Sequence, residues 1–420
     1  MDTTSLTFIN HASVLVRHKN VSVLSDPWYQ GDAFHKGWNL IHELRDEEIS
    51  DLLDDVTHIW ISHEHPDHFS ILFFKKFGNK IKERKIQILF QYCKDQRVQS
   101  FLAKSGFDIQ ILSFNEWVNL SDEFEVLCFK QGFYDSGLAI RTSDKTIINV
   151  NDCQFEDDLA CKELLAITGE CDILVTQFSY ASWKGGIENV DWRKLAAREK
   201  IDTMKLQASY LKPKMIIPFA SFIYFSNKAN FYLNDAHNTP SDVIQGFVDT
   251  DVKVNVMMPF EVIDDLEGDV DNVKSIEFWS NADQLLANKQ LNEYEEVSTE
   301  RLKDTFVKYK ADMNILIKAF KKFCESNDGD YKLIKIKNYR YTILPYKNNQ
   351  KWTIKGNLNN KLEGTIDFNV KGKPNPPAVN LLLKFQKINN TNKIIILFFD
   401  PTGQISPINQ PLNIWYNIKH

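Results

Sequence analysis

The chain has 420 residues, 43% of them hydrophobic and 25% charged, proportions expected of a soluble globular protein with more than one core. A formal net charge of −6 excludes the basic excess of a dedicated nucleic-acid binder, so no nucleic-acid partner is expected. MDTTSLTFINHASVLV lacks a basic region leading into an apolar run, and no 18 apolar residues follow one another. Neither a signal peptide nor a membrane span is therefore expected, and the chain reads as cytoplasmic. Cys93, Cys128, Cys153, Cys161, Cys171 and Cys324 form no CxxC pair, which excludes a zinc ribbon, and lack the paired motifs of two Cys and two His that a Rieske cluster needs, so they read as reduced thiols.

In chain order, Thr7–Asn10, Ser13–Arg17 and Val21–Ser25 read as three strands, the last ended by Asp26-Pro27. Glu47–Asp55 reads as a helix, Thr57–Ser62 as a buried strand rich in β-branched and aromatic residues, and Phe69–Phe77 as a helix. A strand at Ile86–Gln91 and a helix at Asp95–Lys104 follow. Strands are then expected at Phe124–Phe129, Leu138–Arg141, Thr146–Val150 and Asp172–Thr176. A long helix, Asp191–Leu211, stops at Pro213, and Met215–Ile217 is the next strand. Strands alternating with helices, with polar residues just past strand ends, predict a layered α/β core over residues 1–269. Residues 270–330 read as a helical linker. There Leu302, Phe306, Tyr309, Met313, Leu316, Phe320 and Phe323 form one apolar stripe, and the interrupted lysines from Lys303 to Lys322 read as its solvated face. Residues 331–420 read as a small antiparallel β domain, with NNQ, GNLNN and INNTN as turns.

The segment that carries chemistry is His63-Glu64-His65-Pro66-Asp67-His68, which follows a predicted strand. Three of the chain's ten histidines fall within these six positions. His63 and His65, two apart in extended backbone, project to one side. Imidazole suits first-row transition metals and a carboxylate adds a hard ligand. Asp67 and His68, beyond the turn at Pro66, are placed to face a second metal. The plain alternative is a charged loop with incidental histidines. There is no GxSxG elbow, no GxxxxGK[ST] loop and no GxGxxG fingerprint, so nucleophile, nucleotide-loop and dinucleotide readings lack a carrier.

HxHxDH after a hydrophobic strand resembles the signature of the metallo-β-lactamase superfamily, over about Thr7 to Met258. SDPWYQGDAFHKGWNL, HIWISHEHPDHFS, NVNDC and PFASF, in that order, look like the non-Rieske portion of the CMP-N-acetylneuraminate hydroxylases. HASVLV and DPW are more distantly similar to lactonases acting on phosphorylated ascorbate. The resemblance implies an αβ/βα sandwich, followed here by the C-terminal helix and small β domain. It implies one or two divalent transition metals, zinc, iron or manganese, and makes Asp152 the bridging aspartate. It departs at FKQGFYDSG and PFASF, where the family's further histidines are absent. Asp135 is the nearest carboxylate that could replace one, and His237, beside Asp235, the best distant histidine. Counting His63 and His65 for one metal and Asp67, His68 and Asp152 for the other predicts unequal positions.

Asp26 and His11, at strand ends, read either as groups that orient the metal-bound histidines or, for Asp26, as a turn starter. Asn189 to Asp191 and the Trp183-Lys184-Gly185-Gly186 loop are expected to line the pocket. Trp28, Trp38 and Trp183 read as its walls or as core. The leading expectation is a metal-dependent hydrolase of a small phosphorylated or nucleotide-linked molecule, with Asp67 in proton transfer. The rivals are an iron oxygenase component fed by an electron-transfer partner, and a non-catalytic metal-binding module.

Overall fold

The computed structural model describes residues 3–293, except 35, 94–95, 132–134, 269 and 287, together with seven backbone strands between residues 332 and 417. The apolar stripe from Leu302 to Phe323 lies outside the described residues. The first sheet is built from β1 (Ser5–Asn10), β2 (Ser13–His18) and β3 (Val21–Ser25), joined as antiparallel neighbours. After the short β4 (Trp38–Leu40) and α1 (Asp46–Asp54), β5 (His58–Ile61) pairs parallel with β3. Helix α2 (Ile71–Glu83) leads to β6 (Gln87–Gln91), and α3 (Arg97–Lys104) leads to β7 (Ile109–Leu112), again parallel.

The second sheet starts with β8 (Trp117–Ser121), β9 (Phe124–Gln131), β10 (Asp135–Thr142) and β11 (Thr146–Asn151) as antiparallel neighbours. Helix α4 (Asp158–Thr168), β12 (Ile173–Gln177), α5 (Val190–Leu211) and β13 (Met215–Phe219) continue it with parallel pairing. The short β14 (Ile223–Phe225) pairs with β4, and α6 (Pro240–Gly246) precedes β15 (Lys253–Val254), which joins β13. The chain then returns to the first sheet, where β16 (Val262–Ile263) lies antiparallel to β1. Two sheets of seven strands result, ordered β16-β1-β2-β3-β5-β6-β7 and β15-β13-β12-β11-β10-β9-β8.

Strand periodicity explains the layers. Val14, Val16, Val23, Trp60 and Leu89 turn to the core shared with Val126, Leu138, Ile147, Val175 and Ile217 of the second sheet. Their neighbours Leu15, Leu24, Ile59, Ile61, Ile88 and Phe90 turn outward to Leu53 of α1, Phe74 and Phe77 of α2 and Leu102 of α3. Both faces are covered, so these strands read as continuous apolar runs rather than alternating ones. Met204, Ala208 and Leu211 of α5 and Leu164 of α4 cover the other side of the second sheet. The order is therefore helix, sheet, sheet, helix, as expected. Helix α7 (Val273–Leu286), inside the stretch read as linker, sends Trp279 into the shared core, stacked on Phe222 at 4.1 Å. Among the described residues no helix is long and apolar enough to cross a membrane.

Further along, β17 (Lys332–Ile336), β18 (Tyr339–Tyr346), β19 (Lys351–Leu358), β20 (Leu362–Asn369), β21 (Leu381–Ile388), β22 (Thr391–Leu397) and β23 (Ile414–Asn417) form a third seven-stranded sheet. It differs from the antiparallel expectation at one pair: β20 and β21 run parallel. Parallel neighbours need a connection of about a dozen residues rather than a tight turn, and residues 370–380 supply the length.

Candidate metal centre

One edge of the sandwich collects the polar ends of strands from both sheets. His11 follows β1, Asp26 follows β3, Ser62 and His63 follow β5, Asp152 follows β11 and Ala220 follows β13, while Asp135 opens the antiparallel β10. Clefts beyond the carboxyl ends of strands are where α/β sheets place ligands. Hydrogen bonds tie the sheets together here, among them those from the Ala220 amide to the His11 carbonyl at 2.8 Å and from Asn151 Nδ2 to Asp26 Oδ2 at 2.6 Å. Four residues of this edge have positive φ without being glycine: His11 at 25°, Asp26 at 33°, Asn151 at 53° and Ala220 at 48°. Each such conformation costs on the order of 1–3 kcal/mol and persists only where the surroundings over-determine it.

The HEHPDH loop is a turn closed by the amides of His68 and Phe69, which both donate to the His65 carbonyl, at 3.1 and 2.7 Å. Ser70 caps α2 by accepting from the Phe73 amide at 3.2 Å. The loop brings His63, His65, Asp67 and His68 together with three residues from elsewhere. The donor atoms form three interlocking groups, each within 4.8 Å: His63, His65 and Asp135; His63, His68 and Asp152; and His11, Asp67 and His68. His63 Nε2 lies 3.7 Å from Asp135 Oδ1 and 3.9 Å from Asp152 Oδ2. His68 Nε2 lies 3.2 Å from Asp152 Oδ2 and 3.4 Å from Asp67 Oδ2. Asp152 thus stands between the two ends of the cluster. Counted by these groups, each end has three donors besides sharing Asp152, rather than the two against three expected.

Asp26 organises the cluster from behind. Its carboxylate accepts from the Ser62 amide at 2.8 Å, the Ser62 hydroxyl at 2.7 Å, Asn151 Nδ2 at 2.6 Å and His68 Nδ1 at 2.9 Å. With Nδ1–H given to Asp26, His68 presents Nε2 to the cluster. The Ser62 carbonyl in turn accepts from Gln91 Nε2 at 2.5 Å and the Ser136 hydroxyl at 2.6 Å, which fixes β10 against the loop. Gln177 Nε2 reaches Asp152 Oδ1 at 3.3 Å. Glu64 is drawn off by Arg97, whose Nη2 is 3.0 Å from both carboxylate oxygens, and it belongs to none of the three groups.

The charges are unevenly distributed. Burial alone would lower His68, but Asp67, Asp152 and Asp26 hold it well above the ordinary imidazole value. Burial opposes ionisation of Asp67 too, yet His68 and His11 keep it well below the usual carboxylate range. Burial lowers His11, with Asp67 offsetting part of the effect. Burial, reinforced by Asp152, pushes Asp135 up to about 8. Both ring nitrogens of His11, Asp67 Oδ1 and His68 Nε2 are buried without a hydrogen-bond partner. Buried polar atoms left unmet cost about 1–3 kcal/mol each. Imidazoles and carboxylates converging at ligand spacing, with buried atoms of His11, Asp67 and His68 lacking a hydrogen-bond partner, fit one or two divalent metal ions.

His237 is not in these groups. It sits between Tyr180 and Phe225, with ring centroids at 5.6 and 6.3 Å, and burial lowers it to about 4. Its neighbour Asp235 is held by Arg193 at 2.6 and 2.7 Å. Arg193 also donates to the Gly186 and Ile187 carbonyls at 2.6 and 3.0 Å, and Asn189 Oδ1 accepts from the Gly186 amide at 2.8 Å, so the 183–189 loop is pinned. Trp28 stands edge-on to His11 at 5.5 Å, and Phe34, packed on Trp38 at 4.7 Å, stands 5.8 Å from the His65 ring. Trp183 meets Trp192 at 5.5 Å. Sequence reasoning missed the Ser62–Asn151–Ser136 scaffold. Its signal, polar residues flanking the ligands at strand ends, is too common to single out.

No protein-family profile matches the chain. The cytidine monophosphate-N-acetylneuraminic acid hydroxylase of Danio rerio is 24% identical over 257 residues, which cover 57% of this chain and 42% of that protein. The Xenopus laevis protein of the same name is 24% identical over 249 residues, 55% of this chain and 40% of its own length. The chain thus matches less than half the length of these relatives. Among solved structures, a possible metal-dependent hydrolase from Veillonella parvula is 17% identical with a TM-score of 0.47, covering 62% of this chain and 99% of that one. By its layers and the position of its HxHxDH loop, the chain has the metallo-β-lactamase fold, and over rather more than half its length it is similar in sequence to cytidine monophosphate-N-acetylneuraminic acid hydroxylases.

Proposed function

We propose that this chain is a dinuclear metal-dependent enzyme of hydroxylase type, suited to iron or manganese, acting on a small nucleotide-linked or phosphorylated sugar. The observation that carries the reading is the completion of the His63–His65 pair by the Asp135 carboxylate, within one 4.8 Å group. Imidazole serves zinc and iron alike, and each added hard carboxylate moves a donor set toward iron and manganese. Sequence similarity to proteins named as hydroxylases supports the reaction and the substrate class. His63, His65 and Asp135 would hold one ion, Asp67 and His68 the other, with Asp152 between them. Bound metal supplies a site where dioxygen or water is activated.

The chain's own groups set the conditions. Asp26 fixes the tautomer and direction of His68. Asp67, expected as a proton-transfer group, is kept charged by His68 and His11, which suits it to ligation. Asp135 is the carboxyl that retains a proton near neutral pH in the metal-free site. Trp28 and Phe34 present apolar surface beside His11 and His65 and limit water there.

A hydrolytic reading of the same centre is favoured by one observation: none of the six cysteines stands in a CxxC pair or in the paired Cys–His motifs from which an electron-donating iron–sulfur cluster would be built. Hydroxylation would draw its electrons from a separate partner. The test is turnover of CMP-N-acetylneuraminic acid and of sugar phosphates by the full chain, loaded with iron or with zinc, with dioxygen and a chemical reductant. The expected product carries one added oxygen atom and needs iron, dioxygen and reductant. A cleaved product formed equally with zinc and without dioxygen would replace the first reading by the second.

A further inference from the structure

Resting on the dinuclear reading above, we infer that His11 is itself a metal ligand, completing the position served by Asp67 and His68. His11 is not part of the HEHPDH loop. It comes from the turn between β1 and β2 and reaches the same edge of the sandwich from the far side of Asp67. Its Nε2 lies 3.7 Å from Asp67 Oδ2, too long for a hydrogen bond and suitable for two donors facing one ion. Its ring is 6.0 Å from the His68 ring, and its donor atom joins those of Asp67 and His68 within 4.8 Å. The three donors come from two separate stretches of sequence, the β1–β2 turn and the HEHPDH loop, brought together only by the fold.

The alternatives for His11 fare poorly. A core histidine 2% exposed would satisfy at least one ring nitrogen, since buried polar atoms almost always find a partner. Neither nitrogen of His11 does. A group that orients a ligand would hydrogen-bond to that ligand, as Asp26 does to His68 at 2.9 Å; His11 makes no such bond to Asp67. The backbone is also committed to placing this ring. His11 is held at φ 25°, its amide donates to Asn10 Oδ1 at 2.9 Å, and its carbonyl accepts from the Ala220 amide at 2.8 Å. Trp28 blocks one side edge-on. The imidazole is therefore fixed with Nε2 toward Asp67. With His11 included, each end of the cluster has two imidazoles and one carboxylate of its own, His63, His65 and Asp135 against His11, His68 and Asp67, with Asp152 shared.

The experiment is cobalt(II) titration of the metal-free full chain and of its His11→Ala and His11→Gln variants, with stoichiometry read by elemental analysis after gel filtration. Alongside it, the imidazole ligands per metal in the wild-type protein are counted by X-ray absorption. The wild type should bind two ions with two imidazoles each. The variants should keep the first ion and lose the second by more than about 100-fold, beyond the about 10–100-fold that removal of an outer partner produces. Two ions bound by the variants as tightly as by the wild type would overturn the inference while leaving the dinuclear reading standing. So would a wild-type average of one and a half imidazoles per ion, a count that needs no variant to fold. No tightly bound ion in the wild type would overturn both.

Discussion

Asp26→Asn isolates the device that aims His68. The three donors that converge on Asp26 Oδ2, the Ser62 hydroxyl, Asn151 Nδ2 and His68 Nδ1, lie at 2.7, 2.6 and 2.9 Å, and the Ser62 amide reaches Oδ1 at 2.8 Å. An amide of the same shape has one acceptor oxygen. If that oxygen faces the three donors, its NH₂ opposes the Ser62 amide; if it faces Ser62, three buried donors lose their acceptor. Hydrogen bonds to a charged group are worth about 1.5–3 kcal/mol each, and breaking a buried charged network by removing one partner costs about 3–5 kcal/mol. We expect Asp26→Asn to lower the stability of the metal-free protein by about 3–5 kcal/mol, and to weaken metal binding by about 10–100-fold because His68 is no longer held by Nδ1. Urea denaturation gives the first quantity and metal titration the second. Asp55→Asn is the control, since Asp55 pairs with Arg17 at 3.0 Å on the surface, where such pairs contribute about 0–1 kcal/mol. A loss below about 1 kcal/mol with unchanged metal affinity would refute the role given to Asp26.

The Asp135 carboxyl, raised to about 8 by burial and Asp152, binds a proton in the metal-free site that an incoming ion displaces. Apparent metal affinity should therefore climb with pH while Asp135, and beside it the raised His68, hold protons that the ion displaces; titration calorimetry in two buffers of different ionisation heat reads the released protons, and Asp135→Asn should lower their number at pH 7 by about one. The same raised value means that metal-free stability, full below the unfolded value of 3.8, falls as pH rises through about 8, which denaturation at pH 5 and pH 9 checks. Trp279→Ala removes a fully buried ring stacked on Phe222 at 4.1 Å, together with the Nε1 hydrogen bond to the Met257 carbonyl at 2.9 Å. It should cost about 3–5 kcal/mol in denaturation of the full chain, while Val273→Ala on the exposed side of the same helix changes little.

Where a signal is local and periodic, sequence and structure agree. β3 spans Val21–Ser25 as expected, α5 extends the expected helix by one residue at its start, and the HEHPDH loop follows β5. Elements whose faces are half polar escaped. β7 and β8 lie at sheet edges and show partial burial along most of their length, so neither alternation nor an apolar run marks them. Helix α4, capped by Asp157, is short and carries only Cys161, Leu164 and Thr168 inward. For the site, a candidate donor is legible when it sits within the motif or beside a strand end, as with Asp152 and Asp135. His11 and Asp26 are legible as strand-end groups, but their positive-φ backbone and their partners, Asp67 and His68 at 56 and 42 residues' distance in sequence, are encoded by no local pattern. His237 reads as a replacement for an absent family histidine, but the fold packs it against Tyr180 and Phe225, and it belongs to none of the three donor groups.

The central claim is a metal centre built on two imidazoles from the HEHPDH loop and carboxylates from both sheets. Its most direct measurement is the metal content of the full chain, purified without added metal and then reloaded with iron or manganese, beside His63→Ala/His65→Ala prepared in the same way. Two tightly held ions per wild-type chain, with the His63–His65 position empty in the double variant, is the predicted result. Equal metal content in wild type and double variant would contradict the account.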